Sequence, residues 1–136
     1  MSEYAAIQNL ITRYTLAVNR KDYDAIADVF APDATWDAVG RVQLSYKGAE
    51  IAESIKETLE RLKDLFQMNC AAQIEIDGDR ATAQSAMYEF GAVDDRIHFG
   101  QTGIYEDVLI KVGGEWKFAS RRFVCFYRSP PRVVES

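Results

Sequence analysis

The chain changes hydrophobic period about halfway along. In the first half Ile7, Leu10, Ile11, Tyr14 and Val18 recur at helical spacing behind Glu3, which predicts an amphipathic first helix. That stripe stops at Asn19-Arg20-Lys21. Asp22 can cap a second, short helix with Ile26, Val29 and Phe30 on one face, ended by Pro32. Ala34-Thr35-Trp36 then reads as a short strand, followed by a turn at Gly40. Gly48 precedes a third helix striped by Ile51, Ile55, Leu59, Leu62, Leu65 and Phe66, whose opposite face carries mixed charge.

From there the period falls from 3.6 to 2. Strand-like runs cover about 67–77, 80–92, 96–112 and 115–127, separated by Asp77-Gly78-Asp79, Asp94-Asp95 and Gly113-Gly114. Helices in one half and strands in the other predict an α+β domain, with the helices on the concave face of a curved antiparallel sheet. Such a cone leaves an apolar cavity between sheet and helices. One domain over residues 1–128 is expected, with a loose tail from Ser129-Pro130-Pro131 to the end.

Composition narrows the partners. The 136 residues are 48% apolar and 27% charged, with a net charge of −5. Lys and Arg are scattered, so no basic stripe is available to neutralise phosphates, and no nucleic-acid partner is expected. No basic amphipathic helix suggests a membrane surface, and no run approaches the ~20 apolar residues of a span. With no basic leader ahead of an apolar run, a cytoplasmic location is expected. Cys70 and Cys125 are expected as reduced, buried small hydrophobes. His98 is the sole histidine, so no metal centre and no cofactor is expected.

A family resemblance follows from two sets of residues. Arg13-Tyr14, Asn19, Asp22, Asp24, Phe30-Ala31 and Asp33-Ala34-Thr35-Trp36-Asp37 form the first. The second joins the run from Ile74 to Ala81, Tyr105-Glu106-Asp107 and the run from Gly114 to Phe118. Together they resemble the SnoaL-like branch of the nuclear-transport-factor-2-like (NTF2-like) superfamily over nearly the whole chain. The resemblance implies a cone-shaped α+β barrel and a homodimer or homotrimer formed through the outer sheet face. It does not imply one reaction, because the fold hosts isomerases, dehydratases, cyclases, dehydrohalogenases, oxygenase subunits and non-catalytic binders.

Two of the family's catalytic schemes bear on individual residues. In its dehydratases and dehydrochlorinases an Asp at the end of the first helix orients a basic His. The positions resembling these are Asn19 and Gln67, and neither amide is a useful base near neutral pH. An Asn–Gln pair could keep a side-chain hydrogen bond of similar shape. In its ketosteroid isomerases a helix Tyr donates to a carbonyl oxygen, an Asp shuttles a proton and a neutral second acid assists. Tyr14 matches the first of these. The proton shuttle falls on Asp37 with a one-residue gap and on Ala38 without it, and Asp37 turns away if Trp36 faces the pocket. Glu106 or Asp107 is the candidate second acid.

Strand alternation adds further candidates. If Met87 faces inward, so does Glu89, which would then be a desolvated carboxylate. If Tyr88 and Phe90 face inward, Glu89 is surface. His98, at a strand start near the pocket mouth, is a candidate acid or base. Trp36, Tyr105, Phe123, Phe126 and Tyr127 are expected as core or pocket wall. Arg121 or Arg122 is expected to pair with a strand acid or to anchor a ligand carboxylate. The leading expectation is a cofactor-free lyase or isomerase acting by proton transfer on a small hydrophobic, aromatic or polycyclic molecule. Here Tyr14 would be donor, Glu89, His98 or Asp37 proton carrier, and Asn19, Trp36, Gln67, Met87, Tyr105 and Phe126 substrate contacts. The alternatives are a non-catalytic binder that has lost the dyad and a subunit supporting a larger oxygenase.

Overall fold

A computed structural model of the chain describes residues 1–134. The first helix, α1 (Glu3–Arg20), starts where Ser2 Oγ accepts the Ala5 N–H at 3.1 Å. It stops at Lys21, whose φ of 55° is left-handed and brings the Asp22 N–H back to the Ala17 carbonyl at 2.9 Å. Its stripe of Ile7, Leu10, Ile11, Tyr14 and Val18 is buried against the sheet. Burial of each such side chain contributes about 1.5–3 kcal/mol.

Asp22 caps α2 (Tyr23–Asp28), as expected, but the helix ends before Val29 and not at Pro32. Pro32 lies in β1 (Phe30–Gly40), in the stretch between Phe30 and Thr35 where pairing with β7 shifts register. A residue with no N–H is tolerated where the ladder is already irregular. β1 is much longer than Ala34–Trp36, and an unexpected β2 (Leu44–Lys47) folds back on it. Helix α3 (Glu50–Arg61) is shorter than its stripe: Leu62 is extended, and Leu65 and Phe66 already belong to β3 (Asp64–Asn69). Cys70, beyond β3, is exposed and only Cys125 is buried, so the expectation for Cys70 fails.

The run expected over 67–77 is two strands. β3 and β4 (Gln73–Asp77) pair with successive halves of β5 (Arg80–Ala92). β5, β6 (Ile97–Val112) and β7 (Glu115–Arg128) form the antiparallel meander. The order is β2-β1-β7-β6-β5-β3, with β4 on β5. β1 lies parallel to β7, so the sheet is mixed, and it curls without closing. At Gly103 a Cβ would meet the Val124 carbonyl oxygen at 2.0 Å, so the bend there requires glycine.

The segment after Arg128 is held more firmly than a loose tail. Ser129 Oγ accepts the Gly100 N–H at 2.8 Å, and β8 (Arg132–Val133) pairs with Ile97 and His98 of β6. The last two residues of the expected tail lie outside the described residues. Among the described residues no helix is long and apolar enough to cross a membrane.

Candidate active site

Between α1, α3 and the inner face of the sheet lies a cavity of about 650 Å³. Its walls include Val18 of α1, Leu59 of α3, Met87 of β5, Phe99 of β6 and Phe123 of β7. Alternation along β5 buries Ala81, Ala83, Ser85, Met87 and Glu89, while Tyr88 and Phe90 face out. Glu89 therefore enters the cavity, and the surface alternative fails.

Four side chains make a polar cluster in this apolar enclosure. Gln67 Nε2 donates to Glu89 Oε2 at 2.7 Å and to the Tyr105 hydroxyl at 3.1 Å. Gln101 Nε2 donates to the other carboxylate oxygen, Glu89 Oε1, at 2.8 Å. Burial pushes the Glu89 carboxyl above the usual range, against the opposing pull of both amides and of the Arg128 cation. Burial likewise raises the Tyr14 phenol, and raises that of Tyr105 well above its ordinary value. Both phenols are neutral hydrogen-bond donors near pH 7. Trp36 Nε1 and Gln67 Oε1 are buried without a hydrogen-bond partner among the described residues, and both residues line the cavity.

Asn19 and Gln67 do meet, but not side chain to side chain. Asn19 Oδ1 accepts the Gln67 N–H at 2.8 Å, and Asn19 Nδ2 donates to the Gln67 carbonyl at 3.0 Å. The Asn19 amide thus fastens the end of α1 to β3, and the Gln67 side chain is left to serve Glu89. Asn19 itself is not on the cavity wall.

Beneath the cluster lies a buried ion pair. Arg121 is opposite Asp107 across β6 and β7, with Nε 3.2 Å from Oδ1, and neither side chain is exposed. The guanidinium also sits 3.5 Å from the Tyr105 ring centre and 4.4 Å from that of Tyr14. Burial pushes Asp107 up to about 6 despite the neighbouring cation. Arg122 and Glu106 point outward and are exposed.

Besides Asn19, three expected site residues do not reach the cavity. His98 has the opposite parity to Phe99 and Gln101 and is tied into the β8 pairing. Asp37 points away while Trp36 and Ala38 line the wall, and its Oδ1 accepts the Ser45 hydroxyl at 2.8 Å. Phe126 is 59% exposed. It is the unpaired residue of a bulge: Gly103 pairs with Cys125 and Thr102 with Tyr127. The bulge reverses the parity of β7 and turns Arg128, opposite Gln101, toward the cavity. Sequence reasoning missed Arg128 for this reason. Gln101 could have been found by counting back in twos from Tyr105.

The comparisons with known proteins agree with this architecture. The family model described as SnoaL-like domain matches residues 1–122. The chain belongs to the SnoaL-like domain family. Rv3472 of Mycobacterium tuberculosis, a protein of unknown function, is a similar solved structure at 28% identity and a TM-score of 0.79, covering 90% of this chain and 71% of that one. The hexachlorocyclohexane dehydrochlorinase LinA-type3 of Novosphingobium barchaimii has 22% identity and a TM-score of 0.80, over 93% and 88% of the two chains. A scytalone dehydratase-like protein of Novosphingobium aromaticivorans has 20% identity and a TM-score of 0.79, over 93% and 86%. At these identities the last two attest the fold. No curated protein is a significant sequence match. Within this SnoaL-like domain, the described residues hold no group of three or more His, Cys, Asp or Glu side chains placed to bind a metal ion.

The raised Glu89 pKa has a consequence for stability. The folded protein holds this proton at pH values where the unfolded chain has released it. Stability linked to Glu89 is therefore fully present below the ordinary carboxylate range and lost as pH rises through the raised value. Relative to wild type, Glu89→Gln should gain stability in urea unfolding as pH rises from the ordinary carboxylate range through the raised value, and the difference should level off above it. A difference independent of pH would contradict the desolvated carboxyl.

Proposed function

We propose that the protein is a cofactor-free lyase or isomerase that moves a proton on a small hydrophobic, aromatic or polycyclic metabolite. The observation that carries the reading is Glu89: a buried carboxyl on the wall of an apolar cavity, held by two amides, with its pKa raised. A base of raised pKa in a dry site is stronger than an exposed carboxylate, and its conjugate acid can return the proton to the ligand. Tyr14 and Tyr105 are suited to donate hydrogen bonds to an oxygen that gains negative charge as the proton leaves carbon. In an isomerisation Glu89 takes a proton from carbon beside a carbonyl and returns it to another carbon. In an elimination the C–H electrons form the new double bond as the leaving group departs with its own pair, and Glu89 keeps the proton until it passes to solvent or to that group.

Gln67 and Gln101 would aim the carboxylate, in place of the dyad that the family's dehydratases use. Named relatives include a dehydrochlorinase and a scytalone dehydratase-like protein, which supports the elimination branch. The second reading, a non-catalytic binder, is favoured by one observation. Asn19 spends its amide on the Gln67 main chain, so neither dyad position carries a base.

A second copy of the chain is part of the proposal. The outer face of β3 and β5 exposes Phe66 opposite Phe90 and Met68 opposite Tyr88. These exposed cross-strand pairs form an apolar face of a kind that favours association. Sedimentation velocity should show a dimer or trimer for wild type and a monomer for Phe90→Lys. A monomeric wild type would refute the assembly.

The catalytic reading is tested by mass spectrometry in deuterated water, with ring ketones and phenols that stabilise the protein against heat. Wild type should catalyse deuterium incorporation or conversion, and Glu89→Gln should lose at least about 100-fold of the rate. Tight binding without exchange would leave the binder. An undiminished rate in Glu89→Gln would remove Glu89 from its role.

A further inference from the structure

Among the described residues lining the cavity only Arg41 and Arg128 carry a positive charge, and both are exposed residues at the same end of the sheet. Gly40 ends β1 opposite Cys125 of β7, and the Arg41 N–H donates to the Cys125 carbonyl at 3.3 Å. Arg128 stands three residues further along β7, turned inward by the bulge at Phe126. Arg41 and Arg128 therefore stand together where β1 ends and β7 runs out, at the edge of walls that are mostly apolar.

The ion pairs among the described residues use Lys63, Lys111, Lys117 and Arg121, so no acid among the described residues forms an ion pair with either rim arginine. Among the described residues the one acid on the cavity wall is Glu89, whose two oxygens are already taken by Gln67 and Gln101. The described residues of the cavity thus sum to one positive charge with Glu89 ionised and two with it protonated. A single negative charge is the complement, and the planar guanidinium fork matches a carboxylate in two parallel hydrogen bonds.

From this rim we infer that the ligand is a ring-bearing carboxylate, its acid group held by Arg41 and Arg128 and its apolar body lying in the cavity. The inference deepens the proposed function by naming the substrate class. It rests on that reading for the cavity as the site, and not on turnover. The acid group at the rim also sets which way round the molecule enters, so that the ring system points inward to Glu89 and the two tyrosines. An anion here draws on a local positive field within an acidic protein, so its contribution is sensitive to salt.

Titration calorimetry with 2-naphthoate and its uncharged isostere 2-naphthamide tests this without any reaction. In low salt, wild type should bind the carboxylate at least about tenfold tighter, and the preference should shrink at about 0.5 M salt. The double variant Arg41→Gln/Arg128→Gln should bind the two ligands equally, with naphthamide affinity unchanged. Arg122→Gln, on the outer face, should keep the wild-type preference. Equal affinities in wild type, no binding of either compound, or a preference that survives in the double variant would overturn the inference. Because calorimetry reads no turnover, a lost carboxylate preference with Glu89-dependent exchange intact would sink this inference alone. A retained preference with no exchange would sink only the catalytic reading.

Discussion

Two extra residues in β7 decide which side chains the cavity receives. A strand presents alternate residues to each face, and one unpaired residue exchanges the faces for everything beyond it. Pairing passes from Leu109–Phe118 to Val108–Ser120 and leaves Ala119 over. Arg121 thereby goes inward to Asp107, in place of Arg122. The second bulge leaves Phe126 over and brings Arg128 to the rim. Without the second bulge Tyr127 would stand where Arg128 now does, opposite Gln101, and the cavity would lack that charge.

The same face holds two buried acids in different circumstances. Asp107 lies against Arg121, an internal counter-charge packed between aromatic rings. Removing one member of such a pair leaves a charge buried alone, which is strongly destabilising. Glu89 has only neutral amides as hydrogen-bond partners and faces open space. Desolvation without an ion-pair partner keeps its proton affinity high and leaves that proton available to a ligand. Asn19 supports this from a distance, since clasping the Gln67 main chain sets where the Gln67 side chain begins.

Much of this was legible in the sequence where one local rule acted alone. The apolar stripe of α1 and the alternation of β5 each read correctly, and the link from Met87 to Glu89 followed from period two. The failures sit where tertiary pairing overrode local pattern. Leu65 and Phe66 extend the α3 stripe in phase, yet pairing with Gly91 and Phe90 takes them into β3. Asp37 and Phe126 were candidates by resemblance and by aromatic character, and strand parity placed both on the wrong side. His98 carries suitable chemistry on the outward-facing parity of β6. No sequence signal marks a bulge at Phe126, so Arg128 could not be found by counting.

The central claim is that Glu89 is a desolvated carboxyl poised to exchange a proton with a ligand. It is tested most directly by its own titration, read as the carboxyl stretching band in the infrared difference between wild type and Glu89→Gln. The account predicts a single protonated-carboxyl band that persists above the ordinary glutamate range and shifts when a ligand enters the cavity. A band that disappears within the ordinary range and is unmoved by ligand would contradict it.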